Sequence, residues 1–130
     1  MNAGQIVLLA SYLATSAVMV GCGVPLYRRK IGRNNWFGFR TKLTMSENTI
    51  WFAANRVAGF WLIVTGIGTA VSAIAVTFVG LNDVLASTLV TGGLMAGITI
   101  CLVASFTEQR RIAEERQWND SSDLEPRSHE

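Results

Sequence analysis

Three apolar stretches, about residues 5–26, 57–79 and 84–106, contain no Asp, Glu, Lys, Arg or His. A helix crossing about 30 Å of hydrocarbon needs roughly 20 predominantly apolar residues. Backbone groups in lipid have to bond within their own segment, so each stretch predicts a transmembrane α-helix. The 28–56 segment between the first two spans mixes basic, aromatic and small polar residues. After the third span, residues 107–118 read as a helix running on into water, with Arg110 and Glu114, and Arg111 and Glu115, at i,i+4 spacing. Residues 119–130 are polar without apolar periodicity and read as a disordered tail. The expected fold class is an all-α membrane protein. One three-span domain covers residues 1–118, with an interfacial motif at 28–56, and a tail follows.

The spans also carry small residues at four-residue spacing: Ala17 and Gly21, Gly66 and Ala70, Gly93 and Gly97. Lipid tails are as apolar as Leu, so helices associate in membranes by close approach of such residues. These faces can close a three-helix bundle or dock on other chains. Pro25 suits the exit of the first span. That span is expected to be a helix rather than a cleaved signal peptide, because Met1, Asn2, Ala3 and Gly4 carry no basic side chain.

Composition agrees with this pattern. The chain is 50% hydrophobic and 15% charged, against about 25% charged in soluble domains. A net charge of +2 gives no footing for nucleic-acid binding. The distribution of charge says more. Arg28, Arg29, Lys30, Arg33, Arg40, Lys42 and Arg56 lie between the first two spans, and Arg110, Arg111, Arg116 and Arg127 follow the third. The 80–83 turn has no base. Positive charge favours the cytoplasmic side, which predicts a cytoplasmic 28–56 segment and C-terminus and an external N-terminus. The two basic regions are separated by two spans, so they fall on one side as the rule requires. Cys22 and Cys101 lie in apolar runs without metal-ligand spacing, and no metal or cofactor is expected.

Within the 28–56 segment, Arg28, Arg29, Lys30 and Arg33 are expected to contact anionic lipid headgroups, with Trp36 beside them at headgroup depth. Gly38 allows a turn or a close backbone approach. Arg40 offers a planar fork of donors for a carboxylate or phosphate. Thr44 and Glu47 fit a capping box, predicting a helix from about Met45 to Val79, in one piece or in two segments with a bend. On it, Asn48, Trp51 and Asn55 would face a common spot, either pinning the preceding loop or forming a ligand site. His129, in the tail, is not expected to act as a ligand or catalyst.

The run Asn35, Gly38, Phe39, Arg40, Thr41, Thr44, Trp51, Asn55, Arg56 and Gly59, at its particular spacing, resembles the signature of the SdpI family of small bacterial integral membrane proteins. The likeness covers roughly residues 25–60 and the placement of the following spans. The family pattern has His where this chain has Asn55. Asn cannot titrate near neutral pH, so a proton-dependent step at that position is expected to be lost. The resemblance implies a protein of the bacterial inner membrane, with immunity to a peptide toxin or membrane signalling as its role. It further implies a cytoplasmic-face site of Asn35, Gly38, Arg40, Thr41, Thr44, Trp51 and Asn55, acting on a peptide toxin or a cytoplasmic regulator. The chain corresponds to the signature half of the longer named member. The alternative is a small accessory subunit of a larger membrane complex, docking on other membrane subunits. An enzyme or transporter is not expected: the spans hold no ionisable proton or ion path, and Glu47 is the only acid near Thr41 and Thr44.

Overall fold

The computed structural model describes residues 3–124. Its helices are α1 (Ala3–Tyr27), α2 (Lys42–Ser46), α3 (Asn48–Val79) and α4 (Asp83–Leu124), and there is no strand among the described residues. Three of them, α1, α3 and α4, are long and apolar enough to cross a membrane, as the hydropathy pattern predicts. The chain is a multi-pass membrane protein.

Each helix end has a local cause. Helix α1 contains Pro25 in its last turn and closes with Lys30 N donating to Pro25 O (3.0 Å) and Arg29 N to Leu26 O (3.1 Å). This is a Schellman cap, whose left-handed position falls on Arg29 at φ 55° rather than on a glycine. Helix α3 stops at Gly80, left-handed at φ 72°. Two residues on, Asn82 Oδ1 accepts from Leu85 N at 2.8 Å and caps the start of α4. The tight turn at 80–82 therefore has a residue type suited to each position.

Helix α3 is central. Helix α1 lies along one side of it and α4 along another, with little contact between those two. The α1–α3 crossing is backbone against backbone: a Cβ on Gly59 would sit 2.5 Å from Tyr27 N and 2.6 Å from Gly23 O. One turn pair further down, Ser16 Oγ donates to Gly66 O at 2.5 Å. Against α4, Gly97 receives the side chain of Thr65, and Cys101 Sγ lies 3.6 Å from Ala58 O. At the other end Tyr12 links α1 to α4 through Thr91 Oγ1 (2.9 Å) and Ser87 O (3.3 Å).

The small-residue contacts thus differ in part from those expected. Gly66 and Gly97 are used, whereas Ala17 and Gly93 are exposed, and a Cβ on Gly21 or Gly93 would meet nothing within 4 Å. Apart from Leu26 and Val90, buried positions in the spans are small or hydroxylated, such as Ser16, Thr65, Thr69 and Ser105, and many large side chains such as Val18 and Phe78 point outward. That inversion suits packing in lipid, where burying bulk brings little advantage.

Two expectations about the polar parts are corrected. The capping box is not Thr44 with Glu47. It is Thr41 with Thr44, three residues earlier, because the Thr44 hydroxyl supplies the reciprocal bond that a carboxylate usually makes. Glu47 instead adopts an extended conformation (φ −138°, ψ 144°) that separates α2 from α3. The two-segment alternative is the one observed. Helix α4 runs without a break through residues 107–118 and on to Leu124, so residues 119–124 extend the helix rather than begin a disordered tail. Residues 125–130, including His129, lie outside the described residues. On this extension Arg111 bonds Glu108 at 2.8 Å and lies 3.8 Å from Glu115.

Candidate functional site

The 28–47 segment folds over the start of α3 and is held there by side chains from α3 and α4. Its first bend is built on Asn34, whose Oδ1 accepts from both Trp36 N and Phe37 N at 2.8 Å and whose Nδ2 donates to Gly32 O at 2.8 Å. Arg33 reaches across the bend and donates to Met45 O (2.9 Å) and Ser46 O (3.0 Å). Those are carbonyls at the C-terminus of α2, where a positive charge is favoured.

Two residues one turn apart on α3 then fasten the segment at both ends. Trp51, fully buried, donates from Nε1 to Ile31 O at 3.0 Å. Asn55, 2% exposed, pairs with both backbone groups of Phe39: its Oδ1 accepts from Phe39 N at 2.6 Å and its Nδ2 donates to Phe39 O at 3.2 Å. The carboxamide thereby does for this turn of chain what a neighbouring strand would do. Its Nδ2 also lies 3.0 Å from Trp51 O.

Gly38 is required twice over. Its φ is +108°, and a Cβ there would fall on the Asn55 carboxamide. Phe39 packs edge-on against Phe106 of α4, with ring centroids 4.9 Å apart.

Thr41 and Thr44 complete the arrangement. Thr44 N donates to Thr41 Oγ1 (3.1 Å) and Thr41 N to Thr44 Oγ1 (2.7 Å). Thr44 is fully buried, and the Thr41 hydroxyl donates to Gln109 Oε1 on α4. Farther along α4, Arg116 meets Glu47 (2.9 Å) and Thr49 Oγ1 (2.9 Å) at the α2–α3 corner.

The candidate residues therefore divide. Gly38, Thr41, Thr44, Trp51 and Asn55 come together as a latch whose hydrogen-bonding groups are used inside the chain. Asn35 and Arg40 lie exposed on its outer side, along a shallow groove shared with Thr41, Lys42 and Met45. Arg40 makes no hydrogen bond or ion pair among the described residues. Asn48 is exposed and does not join Trp51 and Asn55. Of the basic residues, Arg28, Arg29 and Lys30 are exposed at the exit of α1, Arg33 is spent on α2, and Trp36 projects outward at 95% exposure.

Gln109 is the member that sequence reasoning missed. It is only 3% exposed although it lies beyond the apolar stretch. The available signal was its place at the end of a four-residue row, Gly97, Cys101, Ser105 and Gln109, that faces α3. Every group in the latch is neutral and none titrates near physiological pH.

Among known families, the model of the SdpI/YfhL protein family matches residues 30–107, which spans the latch residues from Gly38 to Asn55, α3 and all of the apolar part of α4. No curated protein and no solved structure matches the chain. The chain belongs to the SdpI/YfhL family.

Proposed function

We propose that this SdpI family membrane protein is a non-enzymatic binding protein of the bacterial cell membrane, giving immunity to a peptide toxin or signalling its presence through the outer edge of the latched segment. The observation that carries this reading is the contrast within the motif. The loop is fastened from behind by buried neutral side chains, while Arg40 is exposed and without a partner among the described residues. A guanidinium on a backbone already held in place gives up less conformational freedom when it captures a carboxylate or phosphate. Asn35 and Lys42 flank it as further donors. The uncharged latch supports binding rather than acid–base catalysis. The basic residues at this end of the bundle favour the cytoplasmic side for the segment, with the N-terminus outside.

The test is survival of a toxin-sensitive bacterium expressing the chain. Wild type should protect, Arg40→Ala should lose protection at an unchanged membrane level, and Arg40→Lys should fall between them. Full protection by Arg40→Ala, or none by wild type, overturns the reading. A second reading, an accessory subunit of a larger membrane complex, is favoured by the exposed Ala17 and Gly21 on α1, where a Cβ at Gly21 meets nothing within 4 Å. Stoichiometric co-purification of other membrane subunits in mild detergent would support it, and recovery as a free monomer would count against it.

A further inference from the structure

Two cavities open on the outer side of α3 and share Trp61. The first, about 380 Å³, lies where the end of α1 passes α3 and α4, and is lined by Tyr27, Arg29, Arg56, Phe60, Trp61 and Glu108 among others. The second, about 290 Å³, continues between α3 and α4 along Val64, Gly68, Ser72, Gly93, Gly97 and Ile100. The first falls in the range of roughly 300–1,000 Å³ of small-molecule sites. Neither cavity includes Arg40, Asn35 or Lys42.

The two cavities differ in chemistry along their common axis. At the mouth, the Arg56 guanidinium lies over the Tyr27 ring, 5.4 Å from its centroid, and has no acidic partner among the described residues. Arg29 stands beside it, also without one, held in the left-handed conformation at φ 55°. The one carboxylate at the mouth, Glu108, is already bonded to Arg111 at 2.8 Å. The mouth is therefore net positive. Tyr27 and Phe60, 40% and 47% exposed, wall it with aromatic surface of the kind that sits at headgroup depth. Below Trp61 the trench is mostly apolar, and Gly68 on α3 and Gly93 on α4, where a Cβ would meet nothing within 4 Å, leave it open.

We propose that this continuous groove is a binding site for an anionic phospholipid, with the phosphate on Arg29 and Arg56 and one acyl chain laid in the trench between α3 and α4. The dimensions agree. From Arg56 to Gly68 the helix rises roughly 18 Å at 1.5 Å per residue, and one leaflet is about half of the 30 Å hydrocarbon core. The complementary occupant carries negative charge at one end and a long apolar body along the helix axis, which describes a lipid rather than a soluble anion or another helix.

The test uses the full chain purified in mild detergent, titrated with phosphatidylglycerol or phosphatidylcholine and read by native mass spectrometry. The expected result is at least tenfold stronger retention of phosphatidylglycerol, no displacement by glycerol phosphate, and a tenfold loss in Arg56→Gln but not in Arg110→Gln, whose exposed side chain lines neither cavity. Gly68→Leu should weaken retention similarly without altering charge. A Cβ at Gly68 meets nothing within 4 Å, so this variant keeps the test decisive if Arg56→Gln misfolds. Equal retention of both lipids, displacement by glycerol phosphate, or unchanged binding in both Arg56→Gln and Gly68→Leu overturns the proposal. So does a chain dimer that Gly68→Leu dissolves while lipid binding persists, which would assign the trench to a second copy.

Discussion

Replacing Asn55 by Leu isolates what the latch contributes. The side chains are close in volume, so the substitution removes hydrogen bonds and little packing. It deletes the acceptor for Phe39 N (2.6 Å) and the donor to Phe39 O (3.2 Å). The third bond, to Trp51 O, matters less, because that carbonyl lies inside α3 and keeps its helical partner. A buried polar group left without a partner costs roughly 1–3 kcal/mol. Phe39 is half-buried, and water can reach it in part. The two orphaned groups together should therefore cost about 2–3 kcal/mol, near the low end for two. At tenfold per 1.4 kcal/mol, the opening equilibrium of the segment rises roughly 30- to 140-fold. Hydrogen exchange at the Phe39 amide reads that equilibrium directly, because the amide is protected by Asn55 itself. Faster exchange there, with α4 amides around Val90 unchanged, is the expected pattern. If Phe39 exchange rises less than about threefold, Asn55 does not hold the loop and the latch is wrongly assigned.

Two further substitutions probe the same frame. In Asn55→His, a neutral ring can accept from Phe39 N but a protonated one cannot, so the folded state depresses the His pKa below about 6.5. Latch stability is then full above that value and lost as pH falls below it, and Phe39 exchange in the variant should become pH-dependent beyond its intrinsic rate while wild type does not. Gly59→Ala places a Cβ 2.5 Å from Tyr27 N, against backbone that cannot yield, and should cost about 1–3 kcal/mol, whereas Gly93→Ala meets nothing within 4 Å and should be neutral. Thermal melting in detergent compares the two, and equal midpoints would refute the Gly23–Gly59 crossing as the tight contact.

The spans were readable from hydropathy because lipid admits few solutions: a long uncharged stretch has to be a helix. The facing of Trp51 and Asn55 was readable from their i,i+4 spacing. Other features depended on partners that lie far away in sequence. Four-residue spacing of small residues offers several candidate contacts on each helix, and the crossing point selects among them. The face of α1 that meets α3 carries Ser16, Val20 and Gly23, against Gly66 and Gly59, which leaves Ala17 and Gly21 on its other side. The capping box shifted for a similar reason. Glu47 was a reasonable partner for Thr44 on local grounds, but Arg116, 69 positions later, takes its carboxylate. Gln109 was missed because polarity beyond an apolar stretch ordinarily signals solvent, and here the helix carries it back over Thr41.

The division of the motif bears on what family membership can carry. Of the residues that bear the resemblance, Gly38, Thr41, Thr44, Trp51 and Asn55 are consumed in folding the segment, and Gly59 in letting α1 approach α3. Their spacing follows from geometry: a left-handed turn against a carboxamide, a cap, and two pins one helical turn apart. A chain needs them to build the platform whatever the platform binds. On the binding reading proposed above, specificity would reside in the side chains the platform displays, Asn35, Arg40 and Lys42, and in the groove beside Arg56. A partner that binds this surface should discriminate among charge variants at positions 35, 40 and 42. Variants of the latch should instead weaken every partner alike, in proportion to how far they open the loop.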